Sequence, residues 1–132
     1  MSKPNPTDRK YSKDHEWAKD EGGDVITVGI TDFAQEQLTD IVYVELPAIG
    51  RKVRQSEPVA VVESVKSVSD VYAPLSGEVI EVNSTLEQQP ELINQDAFGE
   101  GWIVKMKIDD PGEWANLLEA EAYEALTREE KH

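Results

Sequence analysis

One lysine, Lys66, lies midway between two β-prone runs in the segment 59–74. Valine and tyrosine favour strands, and the small polar residues on either side of the lysine tolerate a turn. The pattern therefore predicts strands at 59–62 and 71–73 joined by a turn, with Lys66 projecting into solvent from the hairpin tip. A primary amine there can be acylated, whereas most hairpin lysines only make the turn soluble.

Strand patterns also dominate much of the rest of the chain. A hairpin turn is expected at 21–24, and further strands are predicted at 25–30, 41–46, 79–82 and 102–108. In the strand 41–46, we expect the apolar side chains to be those at positions 42, 44 and 46. Thr31 or Asp32 is expected to cap a short helix over 32–38, with Asp32 and Gln35 approximating a capping box.

The carboxy-terminal segment from Pro111 has a different pattern. One or two amphipathic helices are predicted there, packed through an apolar stripe that comprises Trp114, Leu117, Leu118, Ala122 and Leu126. The polar segment 83–101 is expected to be a loop with one helical turn at 91–94.

Length and charge restrict the possible functions. The chain has 132 residues, enough for one domain, and we expect 1–10 to be a flexible lead-in and 11–132 a single domain. Its net charge of −14, from 13 basic and 27 acidic residues, disfavours nucleic acid and anionic membranes as partners. A field of this sign favours a soluble monomer, and it can steer the protein toward basic surfaces.

The chain contains no cysteine, so no disulfide supports the fold and no protein sulfur can perform redox chemistry. Any thiol chemistry must then come from a prosthetic group. His15-Glu16 lacks the second histidine of a zinc-protease helix, and no Walker loop or nucleophile elbow is present. These patterns indicate a carrier rather than an enzyme. The amino terminus has no signal or transit pattern, which favours a cytoplasmic location, with a processed mitochondrial matrix protein as the alternative.

Several segments resemble the glycine cleavage system H protein family, in the family's order. The segment similar to the family's lipoylation site is Val62-Glu63-Ser64-Val65-Lys66 followed by Ser69-Asp70 and Ala73-Pro74. Further similar segments run from about Tyr11 to Leu126, and they include Asp14-His15-Glu16-Trp17, Val44-Glu45-Leu46-Pro47, Ser76-Gly77-Glu78-Val79 and Gly99-Glu100-Gly101-Trp102. The chain departs from the family at Ser67, where alanine is more frequent, and at Ser56 and Thr39, where glycine is frequent. Positive φ at Ser56 would cost the serine about 1 kcal/mol.

This resemblance implies a mainly β fold, the barrel-sandwich hybrid of biotinyl and lipoyl domains, with the short helix near 32–38 and the carboxy-terminal helices added. It implies lipoate as the cofactor, covalently attached as N6-lipoyl-lysine at Lys66, within an attachment motif formed by Glu63, Ser64, Val65 and Asp70. The lysine and lipoyl together reach roughly 10 to 15 Å beyond the turn. The family's loaded arm folds against the carrier, and Glu16 and Asp70 are the candidate contacts for its ammonium group.

The resemblance also implies the partners. Such a carrier takes the aminomethyl group of glycine from the pyridoxal-phosphate-dependent glycine decarboxylase (P protein) to the tetrahydrofolate-dependent aminomethyltransferase (T protein). Its dithiol is then reoxidised by dihydrolipoamide dehydrogenase (L protein), and lipoate-attaching enzymes modify the lysine.

Other functions remain open. The protein can be a lipoyl donor or relay for other lipoate-dependent enzymes, which would use the same lysine. A biotinyl carrier is less consistent with Val65 and Ser67, because methionines usually flank the biotinyl lysine. A lipoyl domain of a 2-oxoacid dehydrogenase would have aspartate before the lysine and be tethered to other domains, and an unmodified interaction domain would leave Lys66 a free amine.

Overall fold

Two antiparallel β-sheets face each other across a shared apolar core in the computed structural model, which describes residues 4–130. The strands are β1 (Lys10–Tyr11), β2 (Glu16–Gly22), β3 (Val25–Ile30), β4 (Ile41–Glu45), β5 (Lys52–Val53), β6 (Pro58–Ser64), β7 (Val68–Tyr72), β8 (Gly77–Val82) and β9 (Val104–Ile108). One sheet has the order β1-β2-β3-β9-β8-β5, and the other has the order β4-β6-β7. The predicted mainly β, barrel-sandwich fold is confirmed.

Helical elements lie between and after the strands. The α-helices are α1 (Asp32–Leu38), α2 (Leu92–Gln95) and α3 (Ala120–Glu130), and two 3₁₀ helices span Ser84–Glu87 and Pro111–Asn116. None of the helices in the described part of the chain is long and apolar enough to span a membrane.

The core is built from alternating side chains of both sheets. The six-stranded sheet contributes Ile26, Val28 and Met106, and the three-stranded sheet contributes Val44, Val62 and Val71, all buried. On β9 the buried positions are Val104, Met106 and Ile108, as the period-two pattern predicts.

A bulge in β4 changes which residues of this strand are buried. The pairing of β4 with β6 shifts between Ile41 and Tyr43, so that Ile41 is buried while Val42 is 54% exposed. The apolar residues expected at 42, 44 and 46 therefore do not form one buried face. Val42 is exposed, because an extra residue in β4 interrupts the alternation of faces.

Helix α1 begins as predicted. The Thr31 hydroxyl accepts a hydrogen bond from the Ala34 N–H at 3.1 Å, and the Gln35 side chain donates to the Asp32 carboxylate at 3.0 Å. The helix ends at Thr39, whose φ of 65° lies in the left-handed region. The glycine that is frequent in the family at this position would adopt that conformation without strain.

The carboxy-terminal segment differs in detail from its predicted stripe. On α3 the buried residues are Ala120, Tyr123 and Thr127, whereas Ala122 is exposed. Tyr123 determines this orientation, because its ring stacks on Tyr11 with 4.8 Å between ring centroids. The first 3₁₀ helix, which the sequence does not predict, buries Leu86 completely in the core.

The residues just before β2 contact the body of the fold. Lys10, placed in the lead-in by the sequence, pairs with Ala18 in the sheet. The Arg9 guanidinium lies 4.6 Å from the centre of the Trp17 ring and donates to the Phe98 carbonyl at 2.9 Å. Residues 1–3 of the predicted lead-in lie outside the described residues.

Candidate functional site

Lys66 lies in a tight turn between β6 and β7. The Ser64 N–H donates to the Ser67 carbonyl at 2.8 Å, and the Ser64 hydroxyl accepts from the N–H groups of Ser67 and Lys66 at 3.1 and 3.3 Å. This side chain satisfies turn donors that would otherwise depend on water. Strand β6 ends at Ser64 and strand β7 begins at Val68, so both strands extend closer to Lys66 than predicted. The lysine therefore projects from a hydrogen-bonded turn and not from a long loop.

A second contact holds the turn from outside the hairpin. The Val65 N–H donates to the Asp40 carbonyl at 3.0 Å, which ties the turn to the connection between α1 and β4. Val65 and Val68, on either side of the lysine, are each 66% exposed. Within residues 4–130, Lys66 is exposed and makes no ion pair, which leaves its amine accessible to an acylating enzyme.

The other residues of the predicted attachment motif lie on β6 and β7. Glu63 is half-buried and lies between Tyr43 of β4 and Val68 of β7. Asp70 is exposed, pairs with Val61, and takes no part in the hydrogen bonds of the turn. Ser64 therefore shapes the turn, and the two acidic residues contribute charge around it.

Glu16, at the start of β2, is 2% exposed and yet carries a carboxyl group. Its Oε2 accepts from the Tyr72 backbone N–H at 3.1 Å, and its Oε1 accepts a short hydrogen bond from the Ser12 hydroxyl. Burial raises the pKa of Glu16 to about 8, while these two hydrogen bonds oppose the rise and the charge of Asp14 adds to it. At neutral pH the carboxyl group is therefore largely protonated.

A cleft of about 220 Å³ adjoins this carboxyl group. Its walls include Ser12, Glu16, Ser56, Tyr72, Pro74 and Leu117, which come from β2, β7, their flanking residues, the β5–β6 connection and the end of the second 3₁₀ helix. The sequence does not indicate Ser12 as a partner of Glu16, because a serine four residues before a glutamate is common and carries no signal. Polar side chains form much of the rest of the wall, and Lys13 and Asp14 bring one charge of each sign to it.

The strand β7 connects the lysine turn to this cleft. Five residue steps separate Ser67 from Tyr72, which is roughly 16 Å at about 3.3 Å per residue of strand. Asp70 and Tyr72 lie on the same face of β7, opposite the buried Val71, but Asp70 does not line the cleft. The structure thus places Glu16 at the far end of the strand that begins at the lysine turn, with Asp70 between them.

Comparison with known proteins identifies the family of the chain. The family model described as glycine cleavage H-protein matches residues 9–130. The chain belongs to this family. Glycine cleavage system H proteins from Symbiobacterium thermophilum and from one strain of Thermus thermophilus are 59% and 57% identical to it, covering 94% and 95% of this chain and 96% and 97% of theirs.

A solved structure agrees as well. The crystal structure of a glycine cleavage system H protein from Mycobacterium marinum superposes with a TM-score of 0.82 at 37% identity, covering 93% of this chain and 98% of that chain. The resemblance noted from the sequence is therefore confirmed. The chain is an H protein of the glycine cleavage system, a lipoyl carrier.

Proposed function

We propose that Lys66 is the residue that carries lipoate, in amide linkage through its Nζ, and that residues 11–132 act as one non-catalytic carrier domain. The observation that carries this proposal is the position of Lys66, exposed at a turn that Ser64 and the Asp40 carbonyl hold in place. A fixed turn presents the same amine geometry to every enzyme, and less ordering entropy is lost when an enzyme binds.

Lipoate, when bound, supplies the dithiolane that accepts the aminomethyl group and is later reoxidised. Of the motif residues, Ser64 shapes the turn, and Glu63 and Asp70 surround it with negative charge. Val65 and Val68 offer apolar contact area beside the amine. Together these residues present an accessible lysine and an adjacent surface that an attaching enzyme can contact.

Glu16 is proposed to hold the ammonium group of the loaded arm inside the cleft. Its carboxyl group is already oriented by Ser12 and by the Tyr72 N–H. A cation beside a carboxyl group favours its ionised form, so docking of an ammonium group would release the proton that burial keeps on Glu16. The cleft lies roughly 16 Å along β7 from the turn, slightly beyond the arm's expected reach of roughly 10 to 15 Å, so the arm would have to be fully extended to contact its near edge. Asp70 lies between the turn and the cleft, so its carboxylate would contact the ammonium group before the arm reaches the cleft.

The partners are proposed to be the P, T and L proteins and the lipoate-attaching enzymes, met one after another by a monomeric carrier in the cytoplasm. Repeated release requires weak and brief contacts. The net charge of −14 increases encounter rates with basic surfaces on these enzymes.

The attachment site is tested with a lipoate-attaching enzyme, ATP and lipoic acid, followed by intact mass and peptide mapping. We expect one lipoyl group, located at Lys66 and absent from Lys66→Arg. Lys52→Arg is the matched control, because Lys52 is also an exposed lysine beside a strand turn but should not affect labelling. An unmodified protein, with a known lipoyl acceptor labelled in parallel, would overturn the proposal. Release of CO2 from glycine with the P protein then separates a carrier in glycine cleavage from a lipoyl relay.

A further inference from the structure

The hydroxyl group of Tyr123 is buried between two segments that flank Glu16. Tyr123, on α3, is fully buried, and its hydroxyl lies 2.7 Å from the His15 Nδ1 and 2.7 Å from the Thr31 hydroxyl. Its ring is fixed independently, stacked on Tyr11 at an interplanar angle of 13°. A phenol held in this way can serve as a rigid support for both segments.

His15 forms the corner from which Glu16 projects. Its φ is 72°, in the left-handed region that residues other than glycine rarely adopt. Its N–H donates to the Ser12 carbonyl at 3.2 Å, and its carbonyl accepts from the Thr31 N–H at 3.0 Å. A backbone in this conformation persists only when its surroundings hold it there.

The same corner sets the contacts of the Glu16 carboxyl group. It turns the chain from Ser12 back to Glu16, so that the Ser12 hydroxyl meets Oε1 while the Ser12 N–H donates to the Glu16 carbonyl at 2.9 Å. If His15 relaxes toward an ordinary conformation, the direction of the Glu16 side chain changes with it. Its alignment with the Tyr72 N–H would then also change.

We propose that Tyr123 is a positioning residue for Glu16: its hydroxyl group holds the His15 corner, so that helix α3 determines how the cleft presents the carboxyl group. The effect on the loaded arm rests on the proposed function of Glu16, whereas the effect on the carboxyl group itself does not. The carboxy-terminal helix is thereby part of the arm site, although Tyr123 does not line the cleft.

The test removes one oxygen atom. Tyr123→Phe keeps the stacked ring and deletes the hydroxyl group. Tyr11→Phe is the matched control, because Tyr11 is equally buried in the same stack but donates its hydroxyl to the Pro6 carbonyl. Both variants lose one buried phenol hydroxyl group, so they differ in which segment loses its support.

The primary measurement is the ¹³C NMR titration of the Glu16 carboxyl group in the full-length unloaded protein. We expect Tyr123→Phe to move its midpoint by at least half a pH unit and to change the amide shift of Tyr72, while Tyr11→Phe leaves both in place. An unchanged titration in Tyr123→Phe, or an equal change in both variants, would overturn the proposal.

The lifetime of the aminomethyl-loaded protein is the second measurement. It should fall several-fold in Tyr123→Phe and in Glu16→Gln, and stay near the wild-type value in Tyr11→Phe. A shifted titration with an unchanged lifetime in both Tyr123→Phe and Glu16→Gln would support the positioning role and refute the arm-binding role of Glu16. The two proposals can therefore fail separately.

Discussion

Oε2 of the Glu16 carboxyl group and the Tyr72 backbone nitrogen lie 3.1 Å apart, and this hydrogen bond joins the start of β2 in one sheet to the end of β7 in the other. Because β7 begins at the lysine turn, the bond connects the segment that carries Lys66 to the cleft beside Glu16. A buried acid thereby links the two sheets next to the proposed resting place of the arm.

The raised pKa of Glu16 predicts that the free energy of unfolding depends on pH. Its pKa is raised from 4.5 to about 8, so the folded protein holds this proton more tightly than the unfolded chain does. The stabilisation is complete below about pH 4.5 and is lost as the pH rises to about 8, at about 1.4 kcal/mol per unit of pKa shift. Glu16→Gln, which cannot ionise, should lack this loss.

Urea unfolding at pH 5, 6.5 and 8 measures the effect. We expect the stability difference between the wild type and Glu16→Gln to change by a few kcal/mol over this range in favour of the glutamine variant at high pH. Glu45→Gln, at an exposed position of β4, is the control and should follow the wild type. Parallel curves for all three proteins would show that Glu16 titrates normally.

The turn hydroxyl of Ser64 makes a prediction for lipoylation. Ser64→Ala removes the acceptor for the N–H groups of Lys66 and Ser67, which should loosen the turn and cost about 1 kcal/mol of stability. We expect the rate of lipoyl attachment, followed by intact mass, to fall several-fold. Within residues 4–130 the Ser67 hydroxyl makes no hydrogen bond, so Ser67→Ala should keep the wild-type rate. Equal rates for the two variants would remove Ser64 from the proposed role.

Two strained positions predict stabilising substitutions. Thr39 and Ser56 have φ values of 65° and 73°, which glycine adopts freely and which cost other residues about 1 kcal/mol or more. Thr39→Gly and Ser56→Gly should each raise the free energy of unfolding by about 1 kcal/mol, and additively, because the positions lie in separate turns. Alanine at either position should give no such gain in denaturant unfolding. A loss of stability with glycine would mean that side-chain contacts outweigh the strain.

Substitution of Gly77 is expected to lower the stability of the protein. A Cβ atom at this position would clash with the backbone carbonyl oxygen of Lys107 on the neighbouring strand. Gly77→Ala should therefore separate β8 from β9 locally and destabilise the protein by about 2 kcal/mol or more, as overpacking against backbone does. At Gly112, the nearest atom to an added Cβ is 3.1 Å away on the Asp110 side chain, which can move. Thermal unfolding of the Gly112→Ala control should be close to wild type, and equal stability of both variants would contradict the clash.

Local patterns account for most of what the sequence predicted correctly. The hairpin around Lys66, the Thr31 cap of α1 and the alternation along β9 depend on residues a few positions apart, and their propensities act in the same direction as the fold. The prediction failed at position 42, where a bulge interrupts the alternation, and at Ala122 of α3, which is exposed while Tyr123 packs against Tyr11. The other four residues of the predicted stripe do pack on the core. Both failures depend on a partner element that the local pattern does not contain.

The sequence by itself determined the class of fold, the lysine at the hairpin tip and the two positions where a side chain replaces a frequent glycine. Only the tertiary structure decided that both positions have positive φ, and that Ser12 and the Tyr72 N–H hold the Glu16 carboxyl group. The physical reason is the range of the interactions: strand and turn preferences act over a few residues. The pKa of Glu16 and the cleft arise where segments 56 residues apart meet and exclude water.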